Sequence, residues 1–139
     1  MTNYLLDTNH LSTIVTETHP VRLRIQRQLR FGDTFSIATP TLTEMLYGIQ
    51  MIPRAKQNMA DWRKLSVIFD YYAIERVDAE QAATLQVSLR LHGWQLATVD
   101  ALISAIALRY DLTLLTVDND FDGIPGLLHE NWFLNPAAD

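Results

Sequence analysis

Tyr4-Leu5-Leu6-Asp7-Thr8-Asn9 is the stretch whose reading decides the fold. Three apolar residues run into a carboxylate, which reads as a short buried strand ending at Asp7. Thr8 or Asn9 then suits the N-cap of a short helix over residues 9–16, because a short polar side chain satisfies a free helical amide. A strand handing directly to a helix opens a βα unit. Phe35-Ser36-Ile37-Ala38 repeats the pattern: a second strand by β-propensity, stopped by Thr39-Pro40. Thr39 as N-cap with Pro40 at the first helical position starts a helix. Leu42, Met45, Leu46 and Ile49 give that helix one apolar face, and Glu44 and Gly48 lie together at its edge.

Further helices are predicted over Val21–Phe31 after Pro20, over 54–70, and from a capping Asp78 to Leu91 before His92-Gly93. Thr98 to Tyr110 reads as a helix apolar nearly all round, the mark of a central element. Tyr71–Ile74 and Leu114–Val117 are predicted strands, and Trp132-Phe133-Leu134 a last, edge strand. Strands alternating with helices imply an α/β fold with a mainly parallel sheet. In such sheets, sites gather at the carboxyl ends of the strands.

The acids fall at those ends. Asp7 follows the first strand and Asp118 the fourth, while Glu44 and Asp100 occupy first turns of helices. Each alone has an ordinary explanation, as a turn residue or as an acid complementing a helix dipole. Four together near apolar segments, with no obvious Lys or Arg partners, call for a compensating charge. A divalent metal is the economical one, and oxygen-only ligands suit Mg²⁺ or Mn²⁺. The pattern reads as a metal-dependent nuclease site. Thr8, Asn9 and Thr116 are placed to hydrogen-bond the carboxylates or the metal's waters, although capping is the simpler role for Thr8 and Asn9.

Other chemistries fit less well. Asp118 to Gly123 begins like a calcium loop, but the bidentate Glu due at position 129 is His, with Glu130 one late. The four histidines lack zinc-ligand spacing, and His10 and His19 read as surface or capping residues. An aspartyl phosphatase needs a second acid two residues after the first, where Asn9 stands. There is no cysteine, which removes thiolate ligands and nucleophiles. With 139 residues, 48% of them hydrophobic and 19% charged, the chain is the size of one globular domain, predicted to span 1–139. No signal-peptide pattern or membrane-length apolar run is evident, so a cytoplasmic protein without membrane contact is expected. A net charge of −5 weighs against nonspecific polyanion binding. Arg22, Arg24, Arg27 and Arg30 cluster in one segment, and Arg54, Lys56, Arg63 and Lys64 in another. Each cluster reads equally as a solvated helix face or a phosphate-contacting stripe.

Taken in order, these motifs resemble the PIN-domain ribonucleases, particularly the VapC-type toxins of bacterial toxin–antitoxin modules. Leu5-Leu6-Asp7-Thr8-Asn9 is similar to the family's opening strand and first acid, and Glu44 with Gly48 to its second-acid helix. Asp100 to Ala107 resembles the third-acid helix, and Thr116-Val117-Asp118-Asn119-Asp120-Phe121 the closing motif. Ile124 to Leu127 with Asn131-Trp132 is similar to the usual tail. The resemblance covers nearly the whole chain. It implies a three-layer α/β/α sandwich, Mg²⁺ or Mn²⁺ dependence, endonucleolytic cleavage of RNA (tRNA or rRNA), a homodimer and a cognate antitoxin. Asp7, Glu44, Asp100 and Asp118 would be catalytic, with Asp7, Asp100 and Asp118 on the metal. Asp120 competes with Asp118 for the fourth position, and Asp118 fits the spacing better. Val117 stands where many relatives carry Arg. A housekeeping RNA-maturation nuclease and a non-catalytic binding module remain as rivals; the small size favours the toxin.

Overall fold

The computed structural model describes residues 1–135. β1 (Asn3–Leu6) leads into α1 (Thr8–Leu11) and a 3-10 turn, Ser12–Val15; α2 (Pro20–Arg30), β2 (Thr34–Ala38) and α3 (Thr39–Gln50) follow. The chain continues through α4 (Ala55–Leu65), β3 (Asp70–Tyr72), α5 (Arg76–Leu91), α6 (Thr98–Arg109), β4 (Thr113–Leu115) and β5 (His129–Glu130). The sheet order is β3-β2-β1-β4-β5, with every pairing parallel.

Alternation along the strands divides the core into two. Leu5, Ala38 and Leu114 face α5 and α6, packing on Leu85, Leu89, Ile103 and Ile106. Tyr4, Leu6, Phe35, Ile37 and Leu115 face the other way, toward Leu11, Ile25, Met45 and Trp62 of α1 to α4. The result is the expected three-layer α/β/α sandwich. β1 sits at the switch point, since the chain builds outward on one side through β2 and β3 before crossing to β4.

Several boundaries differ from the sequence reading, each for a local reason. Asp7 itself caps α1, its side chain accepting the Thr8 amide at 2.8 Å. β2 passes into α3 without a linker, so the extended last residue of the strand, Ala38, takes the N-cap position and Thr39 is already helical. Glu75 caps α5, while Asp78 is the inner member of a capping box. Asp78 is buried because its carboxylate also meets the Arg109 guanidinium of α6 at 3.1 Å. The predicted helix over 54–70 stops at Leu65 and tightens into a 3-10 turn, which places β3 at Asp70–Tyr72. β4 likewise ends at Leu115, two residues before the predicted limit.

The final strand is the clearest correction. It is the exposed pair His129–Glu130, not Trp132–Leu134. Trp132 instead plugs the α1–α4 side of the core: it is buried, edge-on to Tyr4 at 5.0 Å, with the Arg24 guanidinium 3.9 Å above its ring. Its indole N–H donates to Glu130 Oε1 at 2.9 Å. Arg24 is thereby buried against the tail and does not belong to an exposed basic stripe.

Trp132→Ala is expected to cost about 3–5 kcal/mol in urea unfolding, as a lost core aromatic. Leu134→Ala, at a position 83% exposed, should change stability by less than about 0.5 kcal/mol.

Candidate active site

The sheet pairing brings the first and last acids to one rim. The Asp7 amide continues the β1–β4 ladder by donating to Leu115 O at 2.9 Å, so Asp7 emerges beside the chain that leads to Asp118. Asp7 Oδ1 accepts the Thr8 amide, and Oδ2 accepts the Thr116 hydroxyl at 2.8 Å and Asn9 Nδ2 at 3.3 Å. Thr116 Oγ1 in turn accepts the Asp118 amide at 3.0 Å. One hydroxyl therefore ties the ends of β1 and β4 together.

Asp118 caps a 3-10 turn, Asn119–Phe121, with its Oδ1 accepting the Asp120 amide at 2.9 Å. Phe121 is buried beneath this turn, in the layer of α5 and α6. Asp122 lies 3.4 Å from His129, and a strand enters the segment, so it has a different form from the calcium loop that its spacing suggests. From the other direction, α3 presents Glu44, whose Oε2 accepts the Thr8 hydroxyl at 3.2 Å. α6 presents Asp100 in its first turn.

Asp100, Asp118 and Asp120 each offer a carboxylate oxygen within 4.8 Å of the other two, a spacing at which one small cation meets all three. This puts Asp120 in the cluster together with Asp118. Asp7, by contrast, has its oxygens engaged by Thr8, Asn9 and Thr116. Its charge still bears on Asp100, whose pKa is pushed up to about 6. Burial is the main cause, followed by the charges of Asp7, Asp118, Asp120 and Glu44. Every one of those neighbours is an acid. A half-buried carboxylate surrounded by four others is a site that lacks positive charge, and a set of hard oxygen donors suits a divalent cation.

The roles of Trp94 and His10 near the rim escaped the sequence reading. Trp94 donates its indole N–H to Asp120 O at 2.9 Å and lies against Gly123, where an added Cβ would sit 3.0 Å from the ring. The glycine thus lets the indole clamp the loop that carries Asp118 and Asp120. His10 is fully buried where a surface or capping role was expected; its Nε2 accepts the Trp132 amide at 3.1 Å. His19 does cap, with Nδ1 accepting the Val21 amide at 3.1 Å. Contacts spanning 26 and 122 residues leave no local signature in sequence.

This fold and rim define the class. The chain belongs to the PIN domain family, whose model matches residues 4–127. Among characterised proteins it is similar to Ribonuclease VapC2 of Rickettsia felis, 28% identical over 136 residues that cover 93% of this chain and 97% of that one. In structure it is similar to VapBC2 from Rickettsia felis bound to a promoter DNA fragment, with a TM-score of 0.81 at 23% identity, covering 94% and 98% of the two chains. DNA-bound VapBC from Salmonella typhimurium gives 0.78 at 24% identity, covering 95% and 99%.

The Asp100 environment has a measurable sign. Without metal, the folded state holds a proton on Asp100 up to about pH 6, whereas the unfolded chain releases it near 3.8. Folded protein therefore binds more protons in that window, and stability falls as pH rises through it. Metal-free wild type should lose stability relative to Asp100→Asn between pH 3.8 and about 6, with a constant difference above, in thermal melts with EDTA.

Proposed function

We propose that this chain is a divalent-metal-dependent endoribonuclease and the toxin of a toxin–antitoxin pair. The observation that carries the reading is the gathering of Asp7, Glu44, Asp118 and Asp120 around a half-buried, charge-starved Asp100. Membership of the PIN family, similarity to a protein named as a ribonuclease and structural likeness to VapBC complexes support the same assignment. The whole of 1–139 acts as one nuclease domain in this reading.

Asp7, Asp100 and Asp118 would hold Mg²⁺ or Mn²⁺, Asp7 through the lone pairs that its three hydrogen bonds leave free, and Asp120 lies within reach of the same ion. A bound divalent cation supplies Lewis acidity toward water and phosphate oxygens, which a phosphodiester needs because it repels anionic nucleophiles. The protein's share is positioning. Thr116 and Asn9 fix the orientation of Asp7, and Thr8 fixes Glu44. Glu44, on the solvent-facing side, orients the attacking water. The products are RNA fragments with 5′-phosphate and 3′-hydroxyl ends, and the substrate is a structured RNA of the tRNA or rRNA class.

The partner is an antitoxin. A cleft of about 190 Å³ lies beside Glu44, lined by Thr8, Val15, Met45, Gly48, Ile49 and Ile52. Gly48 leaves open space there, since a Cβ would meet nothing within 4 Å. Apolar walls ending at a cluster of acids suit a peptide that anchors through hydrophobic side chains and carries Arg or Lys to the carboxylates. The active toxin is a cytoplasmic homodimer. Among the described residues no helix is long and apolar enough to cross a membrane.

Purified protein with Mg²⁺ or Mn²⁺ should cut total bacterial RNA into discrete fragments, and both EDTA and Asp7→Asn should abolish them. Persistence of the fragments in the variant would refute the assignment. Mn²⁺ at a hundredfold excess over its dissociation constant should stabilise wild type by ~2.7 kcal/mol and leave Asp7→Asn/Asp100→Asn unchanged.

A further inference from the structure

The buried histidine beside the rim has a defined job. His10 is fully buried, and its two ring nitrogens have partners of opposite kind. Nε2 lies 3.1 Å from the Trp132 backbone amide, which can only donate. Nε2 is therefore the acceptor, and in a neutral ring the proton must sit on Nδ1. Nδ1 lies 2.7 Å from Asn9 Oδ1 and donates to it. Asn9 Oδ1 also accepts the Val117 amide at 3.3 Å. Two donors on one oxygen fix which way the Asn9 amide faces, and its Nδ2 is left pointing at Asp7 Oδ2, 3.3 Å away.

We propose that His10 is a positioning residue: through Asn9 it sets the orientation of the Asp7 carboxylate, and it couples that carboxylate to the Trp132 plug. The relay runs Trp132 N–H to His10 Nε2, His10 Nδ1–H to Asn9 Oδ1, and Asn9 Nδ2–H to Asp7 Oδ2. The ring is locked from other sides as well, by Phe133 edge-on at 4.9 Å. Burial, with His19 and Arg24 nearby, lowers its pKa to about 4, which keeps the ring neutral and the relay polarity constant. The importance of the relay for metal binding rests on the function proposed above; the relay itself does not.

Two variants separate relay from simple packing. In His10→Asn the side-chain amide nitrogen falls near the place of Nδ1 and keeps the donor to Asn9. In His10→Gln the amide oxygen falls near Nε2, which keeps the acceptor for Trp132 and loses the donor. The readouts are ¹⁵N NMR of the His10 ring, the Asn9 side-chain amide resonance and Mn²⁺ affinity by calorimetry. Wild type should show a protonated Nδ1 and unprotonated Nε2. His10→Gln should shift the Asn9 amide and weaken Mn²⁺ binding about tenfold or more, while His10→Asn retains both near wild-type values. An Nε2–H tautomer in wild type, or an Asn9 amide indifferent to His10→Gln, would overturn the proposal. The wild-type ring measurement stands even where a variant fails to fold. Wild type that binds no Mn²⁺ would remove the metal reading, and the NMR outcomes would still decide the relay.

Discussion

The parallel pairing of β1 with β4 is the constraint on which the site depends. β1 lies in the middle of the sheet, bonded to β2 on one side and β4 on the other. Leu5 and Leu6 are fully buried in opposite layers, so the strand cannot slip by one residue without exchanging its two faces. With the register fixed, the Asp7 amide meets Leu115 O and the Thr116 hydroxyl meets the Asp7 carboxylate. Acids 111 residues apart in sequence are thereby delivered to the same edge.

That delivery works against electrostatics. Carboxylates crowded on one rim repel, and the raised pKa of Asp100 records its burial first and that repulsion second. Four of the acids are anchored, each in its own way. Asp7 is held by three donors, Asp118 by its place as a cap, Glu44 by Thr8, and the Asp118–Asp120 turn by Trp94 pressed on Gly123. Such preorganisation would let a cation bind without first ordering its ligands, which lowers the cost of binding. The same anchors connect the rim to both halves of the core: Phe121 lies in the layer of α5 and α6, and Trp132 in the layer of α1 to α4.

Much of this was legible in the sequence because it was written in local pattern. β1, β2, α3 and α6 announce themselves by apolar runs, by Pro40 and by a helix apolar on all sides, and they carry Asp7, Glu44 and Asp100. What was not legible depends on distant partners. Trp132-Phe133-Leu134 has the composition of an edge strand, yet Trp132 is drawn inward by Arg24 and Tyr4, and the pairing falls to the exposed His129–Glu130. His10 looks like a polar surface residue until the Trp132 amide supplies it with a buried donor. Asp78 looks like a cap until Arg109 explains its burial one turn further in. Asp118 and Asp120 were rivals on spacing alone; the turn between them brings both carboxylates within 4.8 Å of Asp100.

The metal-site reading is tested most directly by anomalous diffraction from crystals of the wild-type protein soaked in Mn²⁺. The expected result is a strong peak bounded by the carboxylates of Asp100 and Asp118, with Asp7 adjoining, lost on exchange into EDTA. Well-ordered crystals at saturating Mn²⁺ with no peak at this rim, or with the peak elsewhere on the molecule, would contradict it.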